Sequence, residues 1–431
     1  MRGAPRTSVV AAVAAVAALT LAACGGGGNE PETGSSGGSG GGGEVEVFTW
    51  WAAGSEKAGL DALVKVFDEQ HPDVKFVNGA VAGGAGSQAK DLLQTRLQAQ
   101  DPPDTFQAHA GAELQDYIDA AQIEPVTGLY DEFGLTDVFP PDLMDRLTAA
   151  DGEIYSIPSN IHRANVVWSN RQVLEDAGVD PDATYDDLSS WMDDLAKLKK
   201  AGVTPLAVAQ AWTQVQLLET VLLSDLGADG YSGLWDGSTD WKGPEVKAAL
   251  EDFQTLMGYT NTDRDGLDWP ESQQLVIDGK AGFTVMGDWA EASYEEQKQE
   301  LGTDYSAFPV PGTDGVFDFL ADSFTLPVGA PHPDGAKAWL DTVGSAEGQE
   351  AFNKAKGSIP ARTDIDMSSF GPYQQDAAES FKSDTIVSSL AHGAAVPVAT
   401  LTAIQDATSK FTSGASDLAA FQSELAAAAA G

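Results

Sequence analysis

The sequence predicts an α/β protein of two lobes. Three observations lead there. Residues 44–108 alternate strand, helix, strand, helix, strand; a second α/β stretch begins near residue 151; and about 390 of the 431 residues follow a Gly-rich segment, enough for two domains of ordinary size. With one cysteine in the chain, no internal disulfide can form, so the fold must rest on its apolar core.

The N-terminal residues set the compartment. Arg2 and Arg6 form a positive n-region, and Val9 to Ala23 is small and apolar apart from Thr20. That stretch is too short and too Ala-rich for a membrane span, which needs about 20 apolar residues, and it reads as the h-region of a signal peptide over residues 1–23. It ends in Leu21-Ala22-Ala23-Cys24, which matches a lipobox. Cleavage before Cys24 and diacylglyceryl transfer to its thiol would supply two acyl chains, the number stable anchoring requires. The plainer alternative is a secretory signal with an incidental cysteine. Residues 24–43 then read as the lipidated Cys24 and a flexible Gly-rich tether with nothing apolar to bury.

The net charge is -41, from 24 basic and 65 acidic side chains. Such a surface repels phosphate backbones, so nucleic acid is not an expected partner. It favours solubility, and it leaves the lipid, not basic charge, as the only membrane contact.

Val45, Val47 and Thr49 alternate with Glu46, Phe48 and Trp50, which predicts a first strand. Leu60, Leu63, Val64 and Phe67 form a helical stripe over 56–70 that His71-Pro72 stops. A strand over 74–77 follows. The cluster Gly83-Gly84-Ala85-Gly86 then leads into a helix over 87–100, with Ala89, Leu92, Leu93 and Leu97 inward, and a strand over 105–108. In open α/β sheets ligands bind beyond the carboxyl ends of strands, which points at Trp50, Trp51, Gln107 and His109. Further on, strands are expected over 165–169 and 280–286 and an extended segment over 154–158. Helices are expected over 185–201, 215–226 (apolar on most sides, hence buried), 271–277, 336–344 and 346–355. Residues 309–319 read as loop and connector. The Ala-rich segment from Leu401 reads as two helices split near Gly414, and no internal repeat is evident.

Tryptophan is the notable residue type, ten in all. Trp168, Trp191 and Trp339 fall on strand or helix periodicity and read as core. Trp50, Trp51, Trp269 and Trp289 lie at element ends or in loops beside polar residues. A pyranose ring presents an apolar C–H face that an aromatic ring covers and an edge of hydroxyls that carboxylates, amides and basic groups bond. Gly287-Asp288-Trp289-Ala290 offers both within one tetrapeptide. The five His are not spaced as metal ligands, so no metal or other cofactor is expected; a neutral imidazole does suit a sugar hydroxyl. No nucleophile elbow, P-loop or reactive thiol is present. A glycoside hydrolase needs only two carboxylates across a cleft, and 65 acidic residues leave that alternative open.

A set of short stretches then stands out in order and spacing: Val47-Phe48-Thr49-Trp50-Trp51, Ala82 to Gly86, Asp101-Pro102-Pro103-Asp104-Thr105-Phe106-Gln107 through Gly111, Met286-Gly287-Asp288-Trp289-Ala290, Asp322-Ser323-Phe324, Lys356 to Arg362, and Ser389-Leu390-Ala391-His392-Gly393. With these the chain resembles the family 1 extracellular solute-binding proteins of ABC importers, and more narrowly their glucose/mannose-binding branch. The resemblance implies a type II, maltose-binding-protein-like fold. One lobe would hold residues 44–160 and 318–355, the other 161–317 and 356–431, joined by three crossings, with hinge closure on a ligand held between them. It implies a binding site drawn from Trp50, Trp51, Glu56, Lys90, Gln107 and His109 of the first lobe. Asp322 and Lys356 would come from the returning segment, and His162, Trp269, Asp288, Trp289 and His392 largely from the second lobe. It implies a monomeric, non-enzymatic lipoprotein on the outer face of the cell membrane that captures a monosaccharide, glucose or mannose, and delivers it to permease subunits. An oligosaccharide ligand is the nearer alternative and a secreted glycoside hydrolase the more distant one.

If Cys24 is the anchor, Cys24→Ser releases the protein into the medium or leaves the leader uncleaved, read by fractionation and intact mass. A chain starting at Glu44 keeps full ligand affinity by calorimetry; loss of binding there would make the tether part of the site.

Overall fold

The computed structural model describes residues 43–82 and 86–430. The leader, Cys24, the tether up to residue 42, and residues 83–85 of the Gly-rich cluster lie outside the described residues. Gly43 already belongs to the first strand, Gly43–Phe48, paired with Val74.

The first sheet runs in the order Val74–Asn78, Gly43–Phe48, Thr105–His109, Asp322–Pro327, Ile123–Glu124, with Ser156–Pro158 also paired to Asp322–Pro327. The first three strands are parallel and Asp322–Pro327 is antiparallel to Thr105–His109. Val45 and Val47 are buried, as the alternation predicts, whereas Thr105–His109 is buried on both faces, the pattern of a central strand with cover on each side. Helices Gly54–Gln70, Pro333–Gly344 and Ala346–Lys356 pack together beside this sheet, with Trp339 wedged against Phe67, Phe76 and Phe324. A Cβ on Gly59 would lie 3.0 Å from both Lys356 and Phe352. Glycine there lets the helix Gly54–Gln70 close onto Ala346–Lys356, which sets the height of Lys356.

The second sheet runs Tyr305–Pro309, Val166–Asn170, Ala281–Val285, Thr204–Ala207. Its helix Leu188–Ala201 starts at a capping box between Asp187 and Ser190, ends at Gly202 in the left-handed region, and buries Trp191, Leu195 and Leu198. The segment expected to be deeply buried lies in helix Ala211–Asp236, which breaks at Gly227. The C-terminal pair, Val398–Thr412 and Leu418–Ala429, divides around Gly414 as read from the sequence.

A third sheet of three strands, Thr385–Ser388, Val316–Leu320 and His162–Arg163, corrects the loop expected over 309–319. Phe317 and Phe319 turn onto Phe381 while Asp318 faces the opposite side, also buried, so both faces of this strand are covered in a segment whose proline and glycine neighbours suggested a connector. Ile161 and Ile359 exchange backbone hydrogen bonds of 2.8 and 3.1 Å beside it. Chain segments near residues 161, 320 and 359 thus lie side by side. A boundary after residue 317 falls inside one of these strands.

Other differences follow the same physics. Leu92, expected inward, is 44% exposed. Asp322–Pro327 and Thr204–Ala207 went unread because strands buried on both faces show no alternation. Trp168, Trp191 and Trp339 are fully buried, as their periodicity predicts. Among the described residues no helix is long and apolar enough to cross a membrane.

Trp191 meets Phe283 edge-on at 5.6 Å between ring centroids, within the apolar core. Trp191→Ala is expected to lower stability by about 3–5 kcal/mol in denaturant titrations while leaving ligand affinity unchanged.

Candidate functional site

Strand ends from all three sheets converge on one small pocket, lined by four Trp rings and by charged and imidazole side chains. A larger cavity of about 770 Å³ lies by helices Glu113–Asp119 and Pro141–Leu147. Ala, Gly and backbone dominate its wall, and its one cation, Arg146, is already bonded to Ser388 Oγ at 2.6 Å and the Ile386 carbonyl at 3.1 Å. The smaller cavity is the one with free chemistry.

Asp322 stands at its centre. It is the first residue of strand Asp322–Pro327 and pairs in register with His109, the last residue of Thr105–His109. Its Oδ1 accepts from Gln107 Nε2 at 2.8 Å and its Oδ2 from Asn160 Nδ2 at 3.0 Å. Around it stand His109 Nε2 at 3.7 Å, His162 Nε2 at 3.5 Å and Lys356 Nζ at 3.9 Å. Burial alone would raise the Asp322 carboxyl; Lys356 and the imidazoles outweigh it and hold the group well below the usual carboxylate range. Gln107 also ties this carboxylate to the first strand, since its Oε1 accepts from Thr49 Oγ1 and from the Trp50 backbone N–H.

Each imidazole is braced at Nδ1. His109 faces Glu113 at 2.7 Å, itself paired with Lys90 at 2.9 Å. His162 is held by Asp288, which also accepts the Arg163 N–H at 2.9 Å. His392 faces Ser389 Oγ at 2.8 Å. Burial lowers the His162 pKa, but Asp288 and Asp322 together more than offset it and the net shift is upward. For His392, burial and the neighbouring His109 and His162 drive it well below the ordinary value, so that ring is neutral. Among the described residues His162 Nε2, His392 Nε2 and Trp212 Nε1 are buried with no hydrogen-bond partner. Buried groups of that kind are costly unless a ligand satisfies them.

The aromatic wall consists of Trp50, Trp212, Trp269 and Trp289. Trp50 follows the carboxyl end of Gly43–Phe48, with Lys90 Nζ 5.3 Å from its ring centroid. A Cβ on Gly86, whose φ is +75°, would lie 2.6 Å from the Trp50 ring, so glycine both makes the turn and admits the indole. Trp269 opens helix Trp269–Ile277 behind the capping residue Asp268. Trp289 sits in the turn Asp288–Ala290, its ring 6.5 Å from Trp212 and 5.1 Å from His392. All four rings are nearly covered.

Of the sequence candidates, Trp50, Glu56, His109, His162, Trp269, Trp289, Asp322, Lys356 and His392 line the cavity. Gln107, Asp288 and Lys90 brace those that do. Trp51 corrects the expected paired platform: consecutive residues leave the strand on opposite sides, and Trp51 lies in the core between Phe324 and Phe352, under the Lys356 ammonium at 5.5 Å. Trp212 and Leu320 line the wall and were not singled out. Trp212 had the same signal as Trp269, an indole in the first turn of a helix, but the long apolar run behind it reads as core. Among the described residues no group of three or more His, Cys, Asp or Glu is placed to hold a metal ion.

Glu56 faces Lys356 at 4.0 Å. Burial pushes its carboxyl up, Lys356 only partly offsets this, and the net value is about 7. A carboxyl raised on folding contributes stability below its unfolded pKa and loses it as pH rises through the folded value. Glu56→Gln is therefore expected to match the native protein at pH 4 and to exceed it at pH 8 by up to about 3 kcal/mol, measured by denaturant titration. Equal stabilities at pH 8 would mean that Glu56 is well solvated.

Comparisons with known proteins bear on the family and the fold. Residues 53–350 match the family model for bacterial extracellular solute-binding proteins. An uncharacterized ABC transporter extracellular-binding protein of Pyrococcus horikoshii is 37% identical over 369 residues, 84% of this chain and 82% of that one. A "Probable sugar-binding periplasmic protein" of Rhizobium meliloti is 32% identical over 380 residues, 86% of this chain and 89% of that one. Among solved structures, a chitin oligosaccharide binding protein superposes with a TM-score of 0.78 at 20% identity, covering 90% of this chain and 99% of that one. The expected maltose-binding-protein-like, two-lobe architecture is the one the chain has.

Proposed function

Since this chain belongs to the bacterial extracellular solute-binding proteins, we propose that it is the sugar-capture component of an ABC importer, that glucose or mannose is its preferred ligand, and that it hands the sugar to membrane permease subunits. The observation that carries this reading is the cavity itself: four indoles face a buried polar cluster centred on Asp322, with two imidazole nitrogens left unpartnered. Indoles cover the C–H faces of a pyranose, while Asp322 accepts from hydroxyls and Lys356 donates to them. The name of the Rhizobium relative supports a sugar. The small size of the pocket supports one ring over a chain of them, and the glucose/mannose preference rests on the sequence resemblance. The lobes, Cys24 anchor, extracytoplasmic location and monomeric state are taken as in that resemblance.

Binding without turnover is supported by the family, whose matching model describes solute-binding proteins. Among binding readings, an oligosaccharide is the alternative.

Calorimetry of the mature protein against mono- and disaccharides tests the proposal. Glucose or mannose is expected to bind at least tenfold more tightly than any disaccharide, and no glycoside is expected to turn over. A disaccharide that binds more tightly overturns the ligand, and turnover overturns the class. Trp50→Ala and Trp269→Ala are each expected to cut affinity tenfold or more, consistent with the weight aromatic rings carry in burial.

A further inference from the structure

His392 differs from the other two imidazoles of the cavity. His109 and His162 are braced at Nδ1 by carboxylates and turn Nε2 toward Asp322. His392 is braced by a hydroxyl, and its Nε2, which like that of His162 has no hydrogen-bond partner among the described residues, has no carboxylate placed against it. Which nitrogen carries its proton is decided one step further back, on helix Ala211–Asp236. There the wholly buried Glu219 accepts the Ala391 N–H at 2.7 Å and sits 3.0 and 3.2 Å from Ser389 Oγ.

The hydroxyl of Ser389 has one proton to give. An ionised Glu219 can only accept, so Ser389 donates to it and is left accepting on its other side. The group facing that lone pair, His392 Nδ1, must then be the N–H. Nε2 is left as a bare acceptor. Asp318 lies by the same carboxylate, fully buried with both oxygens lacking a hydrogen-bond partner among the described residues. Burial raises both acids, and of the two only Glu219 is answered by donors, the Ala391 N–H and the Ser389 hydroxyl, so the charge of the pair falls on Glu219 and Asp318 keeps the proton.

We propose that Glu219 is a positioning residue which, through Ser389, sets His392 as a hydrogen-bond acceptor at Nε2, so that the cavity demands a ligand hydroxyl that donates at this point. The inference rests on the sugar reading above for its ligand and deepens it into a specificity rule. A fluorine, keto or ether oxygen in that hydroxyl's place can only accept, and two acceptors meeting in a buried cavity leave each other unsatisfied. A hydroxyl at the same position meets the rule whatever the rest of the ring.

Two measurements at pH 8 on the full mature protein test this. In long-range proton–nitrogen spectra of the free protein labelled at histidine, the His392 signal, identified by its loss in His392→Asn, is expected to show the Nδ1–H tautomer. In Glu219→Gln the new amide donates to Ser389, the hydroxyl proton turns to His392, and the Nε2–H tautomer is expected. In calorimetry with singly deoxyfluorinated glucoses, the native protein is expected to reject one analogue by about tenfold or more relative to glucose, and Glu219→Gln to shrink that penalty to within about threefold. Should Glu219→Gln not fold, Ser389→Ala serves instead: it frees the ring, giving mixed tautomers and a reduced penalty. An unchanged tautomer, or a penalty that persists in the variants, overturns the proposal. If no sugar binds the native protein, the sugar reading falls while the spectra still decide the role of Glu219.

Discussion

A buried carboxylate must be answered by donors, and the position of Asp322 organises the rest of the cavity accordingly. Removing an ion from water costs several kcal/mol unless hydrogen bonds and countercharge make up the loss. Here the donors come from distant parts of the chain: Gln107 from the central strand of the first sheet, Asn160 from the segment entering the third, and Lys356 from the end of a helix. Holding one charge therefore holds three elements in register. The same arrangement explains why Gln107 and Asn160 are amides. An amide donates without adding charge, so the carboxylate stays available to bond outward as well.

Around that centre, charge alternates. Glu113 braces His109, Asp288 braces His162, and Glu56 sits by Lys356. In a region of low dielectric each of these groups moves the ionisation of the next. His162 is favoured as a cation while His392 is kept neutral, so two residues of the same type present different hydrogen-bonding faces to one small space. The aromatic wall is neutral and adds no competing dipole of that size. It supplies area, and it is admitted by close backbone approaches such as Gly86 beneath Trp50.

Local pattern sufficed for amphipathic elements. Leu188–Ala201 carries its stripe, its cap and its terminating glycine in sequence, and the first strand shows its alternation plainly. It failed where burial is two-sided. Asp322–Pro327 holds the central residue of the site, yet its six residues are all buried and have no period to read. Val316–Leu320 was masked by the proline and glycine that precede it. The adjacent pair Trp50-Trp51 looked like one feature. Because successive side chains of an extended chain point to opposite faces, one reached the cavity and the other the core.

Composition, the Trp-bearing element ends and the order of the short motifs were enough to indicate the fold class and most of the residues that line the cavity, because those signals are carried by residue type and near neighbours. Which of these residues face the cavity and which stand behind it was a matter of packing. Lys90, Gln107 and Asp288 are as polar as Glu56 and Lys356, and nothing in their neighbours along the chain distinguishes a bracing group from a lining one. Trp212 and the Glu219–Ser389–His392 chain join groups 170 or more residues apart, and hydrogen-bond direction in such a chain depends on distances of about 3 Å that exist only once the helix Ala211–Asp236 and the segment after Thr385–Ser388 have come together.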